Sequence, residues 1–212
     1  MPNRFHEIAD IHEVPAEPVG HLREVPLTSR VAYPGGLLRV QRDVVRCSDG
    51  HVSYREYIRH PGAVMIIALL DPEHVVLERQ YRHPLGRTFI EFPAGKRDAG
   101  EDPFVCGRRE LLEETGIRCS RWWHLGGFHN AIGYSDERIE VFLARDPTFV
   151  AGRLDPGEVV ELFRAPWRKM DAWVRDGQIT DVKTIVGIHW LQRVMSGDWA
   201  PPPLALPAGE SA

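Results

Sequence analysis

From Gly95 to Ile117 the chain reads GKRDAGEDPFVCGRRELLEETGI, and this stretch decides how the rest is read. Asp102 is a capping residue, Pro103 suits the first helical position, and Gly116 can take the left-handed conformation that ends a helix, so the spacing predicts about three to four helical turns between them. Residues three and four apart share a helix face, which projects Glu110, Glu113 and Glu114 toward one patch. Like charges so placed repel by roughly a few tenths of a kcal/mol per pair, and the arrangement makes physical sense mainly around a cation. Ligation by carboxylates alone selects hard ions, Mg2+ or Mn2+, over Zn2+. Val105, Leu111 and Leu112 are the expected buried side of the helix. Gly95 and Gly100 allow the preceding loop a close backbone approach to metal or substrate, with Glu101 at the junction of loop and helix.

Taken alone, an E-x-x-E-E cluster beside an arginine is more often a solvated, ion-paired face. The full spacing lowers that reading: Gly95, five residues, Glu101, seven residues, then Arg109-Glu110, Glu113-Glu114 and Gly116-Ile117. At every defining position from Gly95 to Ile117 the segment resembles the Nudix box of the Nudix hydrolases. The resemblance implies an α+β fold, an α/β/α sandwich with a mixed β-sheet between helices. It also implies an Mg2+ (or Mn2+) cofactor held by Glu110, Glu113 and Glu114, with the backbone carbonyl of Ala94 or Gly95 completing the set and Arg109 orienting the glutamates. The reaction so implied is hydrolysis of a nucleoside diphosphate linked to another moiety.

Composition is compatible with this and says less. With 212 residues, 43% of them hydrophobic, the chain can bury a sizeable core. A formal charge of -4 and a pI near 6.2 supply no global basic field, so no nucleic-acid partner is expected. The cysteines at 47, 106 and 119 are too scattered for a disulfide framework or a zinc site and fit a reducing cytoplasm. The opening MPNRFHEIAD has no basic-then-apolar leader, and the longest apolar run, Ala63 to Leu70, is too short to span a bilayer, so a cytoplasmic protein without a membrane partner is expected.

Outward from the central stretch, residues 1–60 read as a small N-terminal β-rich unit. They carry a turn at Pro34-Gly35-Gly36, alternation from Leu37 to Val45, and a hairpin turn at Ser48-Asp49-Gly50 between Val44–Arg46 and Val52–Tyr57. Residues 61–199 form the expected catalytic domain. Ala63 to Leu70 reads as a strand buried on both faces with Val75 to Arg79 as its partner, and Trp122 to Phe128 and Ile139 to Ala144 as further strands. Trp167 to Asp176 and Thr184 to Met195 have helical apolar spacing through Trp173, Ile185, Ile188, His189, Leu191 and Val194, and are expected on the other face of the sheet. Residues 200–212, rich in proline and small residues, read as a flexible tail.

The flanks narrow the substrate. Glu78-Arg79-Gln80-Tyr81-Arg82, Phe89-Ile90-Glu91-Phe92-Pro93-Ala94-Gly95 and Gly177 to Ile185 resemble the ADP-ribose pyrophosphatases and related nucleoside-diphosphate-sugar hydrolases. That resemblance implies that Arg82 grips the diphosphate, a surface salt bridge being the plain alternative; Glu91 either supports the metal or the nucleotide end or only pairs with a neighbouring arginine, and Tyr81, Phe92 and the N-terminal unit are the residues from which an aromatic adenine slot would be built. It also implies a homodimer with exchanged N-terminal strands, and a general base on a loop well after the box, for which Glu158 in Asp155-Pro156-Gly157-Glu158 is the match. The subgroup's usual proline past the box is missing between Asn130 and Glu137. Tyr134 lies near a tyrosine that marks diadenosine polyphosphate hydrolases, so a dinucleoside polyphosphate is one alternative substrate; GDP-mannose is another, which the sequence does not rank against ADP-ribose. A non-catalytic nucleotide-binding sensor is the reading from a different class. Such members generally lose box glutamates, and this chain keeps them.

Overall fold

The computed structural model describes residues 20–36, 38–152, 154 and 157–206. Contacts divide the chain after Tyr57 into two compact units.

In the first unit, strands β1 (Val25–Pro34), β2 (Arg39–Arg46) and β3 (Val52–Arg59) form an antiparallel sheet in the order β1-β2-β3. The turn expected at Ser48-Asp49-Gly50 joins β2 to β3. Cys47 N–H donates to His51 O at 2.8 Å and Gly50, at a φ of 86°, donates to Cys47 O at 3.0 Å. Both faces of β1 are exposed along its whole length. Of the alternating stretch, Leu37 lies outside the described residues, as do residues 1–19.

The second unit contains β4 (Ala63–Ala68), β5 (His74–Arg82), β6 (Arg87–Glu91), β7 (Ala94–Lys96), α1 (Pro103–Thr115), β8 (Ile117–His129), β9 (Arg138–Phe149), β10 (Val160–Pro166), α2 (Met170–Arg175) and α3 (Val182–Met195). The strands make two sheets. A mixed one, ordered β7-β4-β9-β8, has β4 parallel to β9 and antiparallel to β7, and an antiparallel one is ordered β10-β5-β6. This corrects the expected pairing of Ala63–Leu70 with Val75–Arg79. The chain turns between them, leaving only a Leu69–Val75 bridge, and β5 enters the other sheet.

β4 is buried on both faces, as its continuous apolar run requires, and its alternation divides the core in two. Val64, Ile66 and Ala68 pack with Phe142, Trp122 and the Cys106 and Leu111 side chains of α1. Met65, Ile67 and Leu69 pack with Val141, Leu143 and the Ile188 and Leu191 side chains of α3. The helices therefore cover opposite faces of the mixed sheet, which is the α/β/α layering expected from the sequence.

α1 starts and stops as its sequence dictates. The Asp102 carboxylate accepts from Phe104 N–H at 2.9 Å and Val105 N–H at 3.2 Å, and Pro103 follows it. Gly116, at a φ of 67°, donates to Leu112 O at 2.9 Å, and a Cβ there would lie 2.5 Å from Val150 O. Leu111 is fully buried, which is worth about 1.5–3 kcal/mol in area removed from water. Val105, expected on that buried side, is half exposed, and Cys106 takes the inward position instead. His189 likewise faces solvent while Ile188 and Leu191 point inward, because helical spacing admits only part of α3 to the core.

The flexible tail expected at 200–212 is tied down over its described part. Leu204 N–H donates to Trp122 O at 2.8 Å, Pro203 bridges to Trp123, and Leu204 and Leu206 pack against the α1-side core. Apolar leucines in a proline-rich segment find a hydrophobic surface there, and residues 207–212 lie outside the described residues.

Candidate active site

Two structural features of the central stretch bring acids to one place. β7 runs antiparallel to β4, and its Ala94 and Gly95 lie against Glu114 and Glu110 of α1. Ala94 N–H donates to Glu114 Oε2 at 3.1 Å. At Gly95 an added Cβ would sit 1.9 Å from the Glu110 carboxyl carbon, so only glycine lets this carboxylate reach the backbone.

Arg109 organises the outer side of the helix. Its Nε and Nη2 donate to the two Glu101 oxygens at 2.9 Å each, and Nη1 lies 2.9 Å from both Glu113 Oε2 and Glu110 Oε1. The paired, bidentate hydrogen bonds from Arg109 hold the Glu101 carboxyl down at about 2. Glu113 remains more than a third exposed.

The inner side is different. Glu114 is buried and its carboxyl is pushed up to about 10, by burial first and then by the charges of Glu78, Glu110 and Glu158. Glu110 is raised to about 6 by burial, against the pull of Arg109. Glu78, on β5, has no exposed surface, and neither of its oxygens has a hydrogen-bond partner among the described residues. Burial, followed by the charge of Glu91, pushes it up to about 8.

β5 and β6 carry the rest. In their register Glu78 stands opposite Glu91, and strand alternation puts Glu78, Gln80 and Arg82 on one face. Arg82 grips Glu91 with two parallel bonds, Nε to Oε1 at 2.8 Å and Nη2 to Oε2 at 2.6 Å. Lys183, in the first turn of α3, bonds the same carboxylate and also Asp181 at 3.0 Å. Burial works to raise the Glu91 carboxyl, but these two cations outweigh it and leave it below the ordinary range. Asp181 caps α3, accepting from Thr184 N–H at 3.0 Å, and this fixes the backbone that presents Lys183.

Beside this cluster lies a cavity of about 240 Å3 whose wall includes Ala94 and Gly95, with Arg82, Lys96 and Lys183 as its cations and His60, Asn130 and Glu137 at other points. Acids and cations thus meet across one short piece of backbone. Glu158 is half-buried, 3.4 Å from Gln80 Nε2, and its charge acts on Glu78, Glu110 and Glu114; Asp155 and Pro156 of its loop lie outside the described residues.

The structure therefore brings together Arg82, Glu91, Ala94, Arg109, Glu110, Glu113, Glu114 and Glu158. Two expected substrate contacts stand apart. Tyr81 alternates to the opposite face of β5 from Arg82 and is largely exposed. Tyr134 is exposed in a turn pinned by Ile58 N–H to Tyr134 O at 2.9 Å, while its neighbours Asn130 and Glu137 reach the cavity. Sequence reasoning missed Glu78, Lys183 and Asp181. The signal for Glu78 was an acid closing the apolar run Val75-Val76-Leu77; the signal for Lys183 was its place in the first turn of a capped helix.

Among the described residues no three His, Cys, Asp or Glu side chains are already drawn into a metal-ligand cluster. The donor set nevertheless fits a hard divalent ion. It consists of oxygens, it holds more buried carboxylate than the adjacent cations neutralise, and Glu78 keeps two oxygens without partners.

A NUDIX domain model matches residues 59–181. The chain is 35% identical over 171 residues to the methanol dehydrogenase activator of Bacillus methanolicus, covering 80% of this chain and 92% of that protein. It is 32% identical over 173 residues to the ADP-ribose pyrophosphatase of Bacillus subtilis (strain 168), covering 81% and 94%. A crystal structure of an ADP compounds hydrolase superposes with a TM-score of 0.76 at 22% identity, over 83% of this chain and 96% of that one, a likeness of fold.

Proposed function

This chain belongs to the Nudix family, and from that premise we propose that it is a pyrophosphohydrolase that cuts the diphosphate of ADP-ribose or a related nucleoside diphosphate sugar, releasing a nucleoside monophosphate and a sugar phosphate. The observation that carries this reading is the shared wall at Ala94–Gly95, with buried acids on one side and a cavity bearing Arg82, Lys96 and Lys183 on the other. A diphosphate in that cavity has cationic donors along its length and the acid cluster at its side.

Glu110, Glu113 and Glu114, with the Ala94 carbonyl, would hold the Mg2+ or Mn2+. A hard divalent ion bound there supplies neutralisation of phosphate charge and acidification of water. Arg82 and Lys183 bind phosphate oxygens from positions fixed by Glu91, which spares the ordering that a loose side chain would need. Arg109 orients Glu110 and Glu113 through its Nη1. Glu158, steadied by Gln80, takes the proton of the attacking water as its oxygen bonds to phosphorus; the bridging oxygen leaves with the other phosphate. We also propose the homodimer with exchanged N-terminal strands, supported by a β1 exposed on both faces with Val25, Leu27, Val31 and Tyr33 open to solvent. Among the described residues no helix is long and apolar enough to cross a membrane.

The test is a panel of ADP-ribose, GDP-mannose and a diadenosine polyphosphate with Mg2+ or Mn2+, reading the monophosphate released. Release of AMP from ADP-ribose is expected. Tight binding of ADP-ribose without product would replace this reading with a nucleotide sensor, and preferred turnover of a dinucleotide would move the substrate class.

A further inference from the structure

Glu78 belongs neither to the box nor to the cationic cavity, and among the described residues it is the carboxylate with both oxygens buried and without a partner. Its side chain is wholly buried, and both carboxylate oxygens lack a hydrogen-bond partner among the described residues. A lone buried carboxylate is strongly unfavourable unless something compensates it. The obvious compensators are already engaged: Arg82 gives two donors to Glu91, Lys183 is shared by Glu91 and Asp181, and Arg109 serves Glu101, Glu110 and Glu113. Glu91, directly opposite on β6, acts most strongly on Glu78, followed by Lys183 and Arg82 from their places on Glu91 and then by Glu158, and Glu78 in turn acts on Glu114. Glu78 thus lies within electrostatic reach of Glu114, on the same face of β5 as Gln80, which donates to Glu158.

We propose that Glu78 is an additional oxygen donor to the divalent cation site of Glu110 and Glu114, contributed from the strand sheet rather than from the box helix. Position and chemistry both favour it. Glu78 comes from β5 and Glu110 and Glu114 from α1, so together they would draw oxygens from two elements instead of from one helix alone. Hard ions take several oxygen ligands, more than one helix face presents. An ion also removes the penalty that the apo fold bears at this residue.

The inference rests on the metal-dependent reading above, and the experiment separates the two. Mn2+ is titrated into the full chain without substrate, following loss of the free Mn2+ signal by electron paramagnetic resonance, alongside the Mn2+-induced shift in Tm. Glu78→Gln keeps the volume and removes the charge. It is expected to weaken Mn2+ binding by about tenfold or more, to melt higher than the parent without metal, and to gain less from Mn2+. Unchanged affinity and an unchanged metal-induced shift would overturn the proposal while Glu114→Gln, if it loses Mn2+, leaves the metal reading standing. A parent protein that binds no Mn2+ overturns both. Should Glu78→Gln fail to fold, Glu78→Asp keeps the charge and draws it back by one methylene. Weaker binding is then expected, and parental binding overturns the proposal.

Discussion

Two groups of acids meet the same helix and end in opposite conditions. On the outer side of α1, Glu101 and Glu113 share Arg109, every bond near 2.9 Å, and Glu101 stays ionised down to about 2. On the inner side, Glu114 and Glu78 are buried with almost no donors, and their carboxyls are pushed up to about 10 and about 8. One helix face is stabilised by its charges and the other is destabilised by them. Selection for stability alone would have filled the inner positions with apolar residues, since buried acids without partners weaken a fold. The inner acids are therefore the ones to associate with function alone; on the outer side Glu101 holds the helix and its loop in place, and Arg109 holds Glu113 where a ligand is proposed.

The largest effect should come from breaking the inner side. Glu114→Gln is expected to lower kcat by about a hundredfold or more, because a charged oxygen is lost with little change in volume. At the same time the metal-free variant should melt at a higher temperature than the parent. Circular dichroism and AMP release measure both, and near-parental turnover would sink the division. On the outer side the order reverses. Arg109→Met strands Glu101 and Glu113 and should remove about 2 kcal/mol of stability in urea unfolding, with a smaller loss of kcat than Glu114→Gln. An unchanged midpoint would mean that the outer network is ornamental.

pH should separate the two sides again, in chelator. Glu101 has a folded value near 2 against an ordinary 4.5, so its stabilisation is present above 4.5 and is lost as pH falls toward 2. Glu78 and Glu114 have folded values near 8 and 10 against 4.5. Their protonated forms favour the fold below 4.5, and that contribution is lost as pH rises through 8 and 10. Metal-free stability should therefore decline between pH 6 and pH 9 by unfolding in EDTA, and Glu114→Gln should flatten the decline. Mn2+ should oppose it, since ligands bind metal as carboxylates. Stability that climbs across that range in EDTA would contradict the burial of these acids.

Much of this arrangement was legible in the sequence because it is local. Asp102, Pro103 and Gly116 set the ends of α1, and the i, i+3, i+4 spacing set the face of Glu110, Glu113 and Glu114, all within one helix. The burial of β4 followed from its unbroken apolar run. What was hidden depended on partners distant in the chain. Nothing between residues 63 and 79 indicates that β5 leaves β4 for β6 and β10, and without that register Glu78 reads as one more charge in Glu78-Arg79-Gln80. Lys183 joins Glu91 across 92 residues of sequence, which no spacing rule covers. Tyr81 could have been placed from the sequence, because neighbours on a strand face opposite ways and Arg82 already claimed the site.

The smallest expected effect tests whether the two sides are separable at all. Asp102 accepts from the amides of Phe104 and Val105 at the start of α1, one residue from Glu101 and most of the helix away from Glu114. Asp102→Ala leaves those amides without their acceptor and should cost about 1 kcal/mol in urea unfolding. The loosened turn belongs to the outer network, since Glu101 O also accepts from Arg97 Nε at 3.0 Å. Glu114 is instead fixed by Ala94 N–H and by the packing of Leu111, which the cap does not touch. Mn2+ affinity should therefore stay parental while stability falls. If Mn2+ affinity falls in step with stability, the helix transmits strain along its length, and the two acid groups are one cooperative unit rather than two.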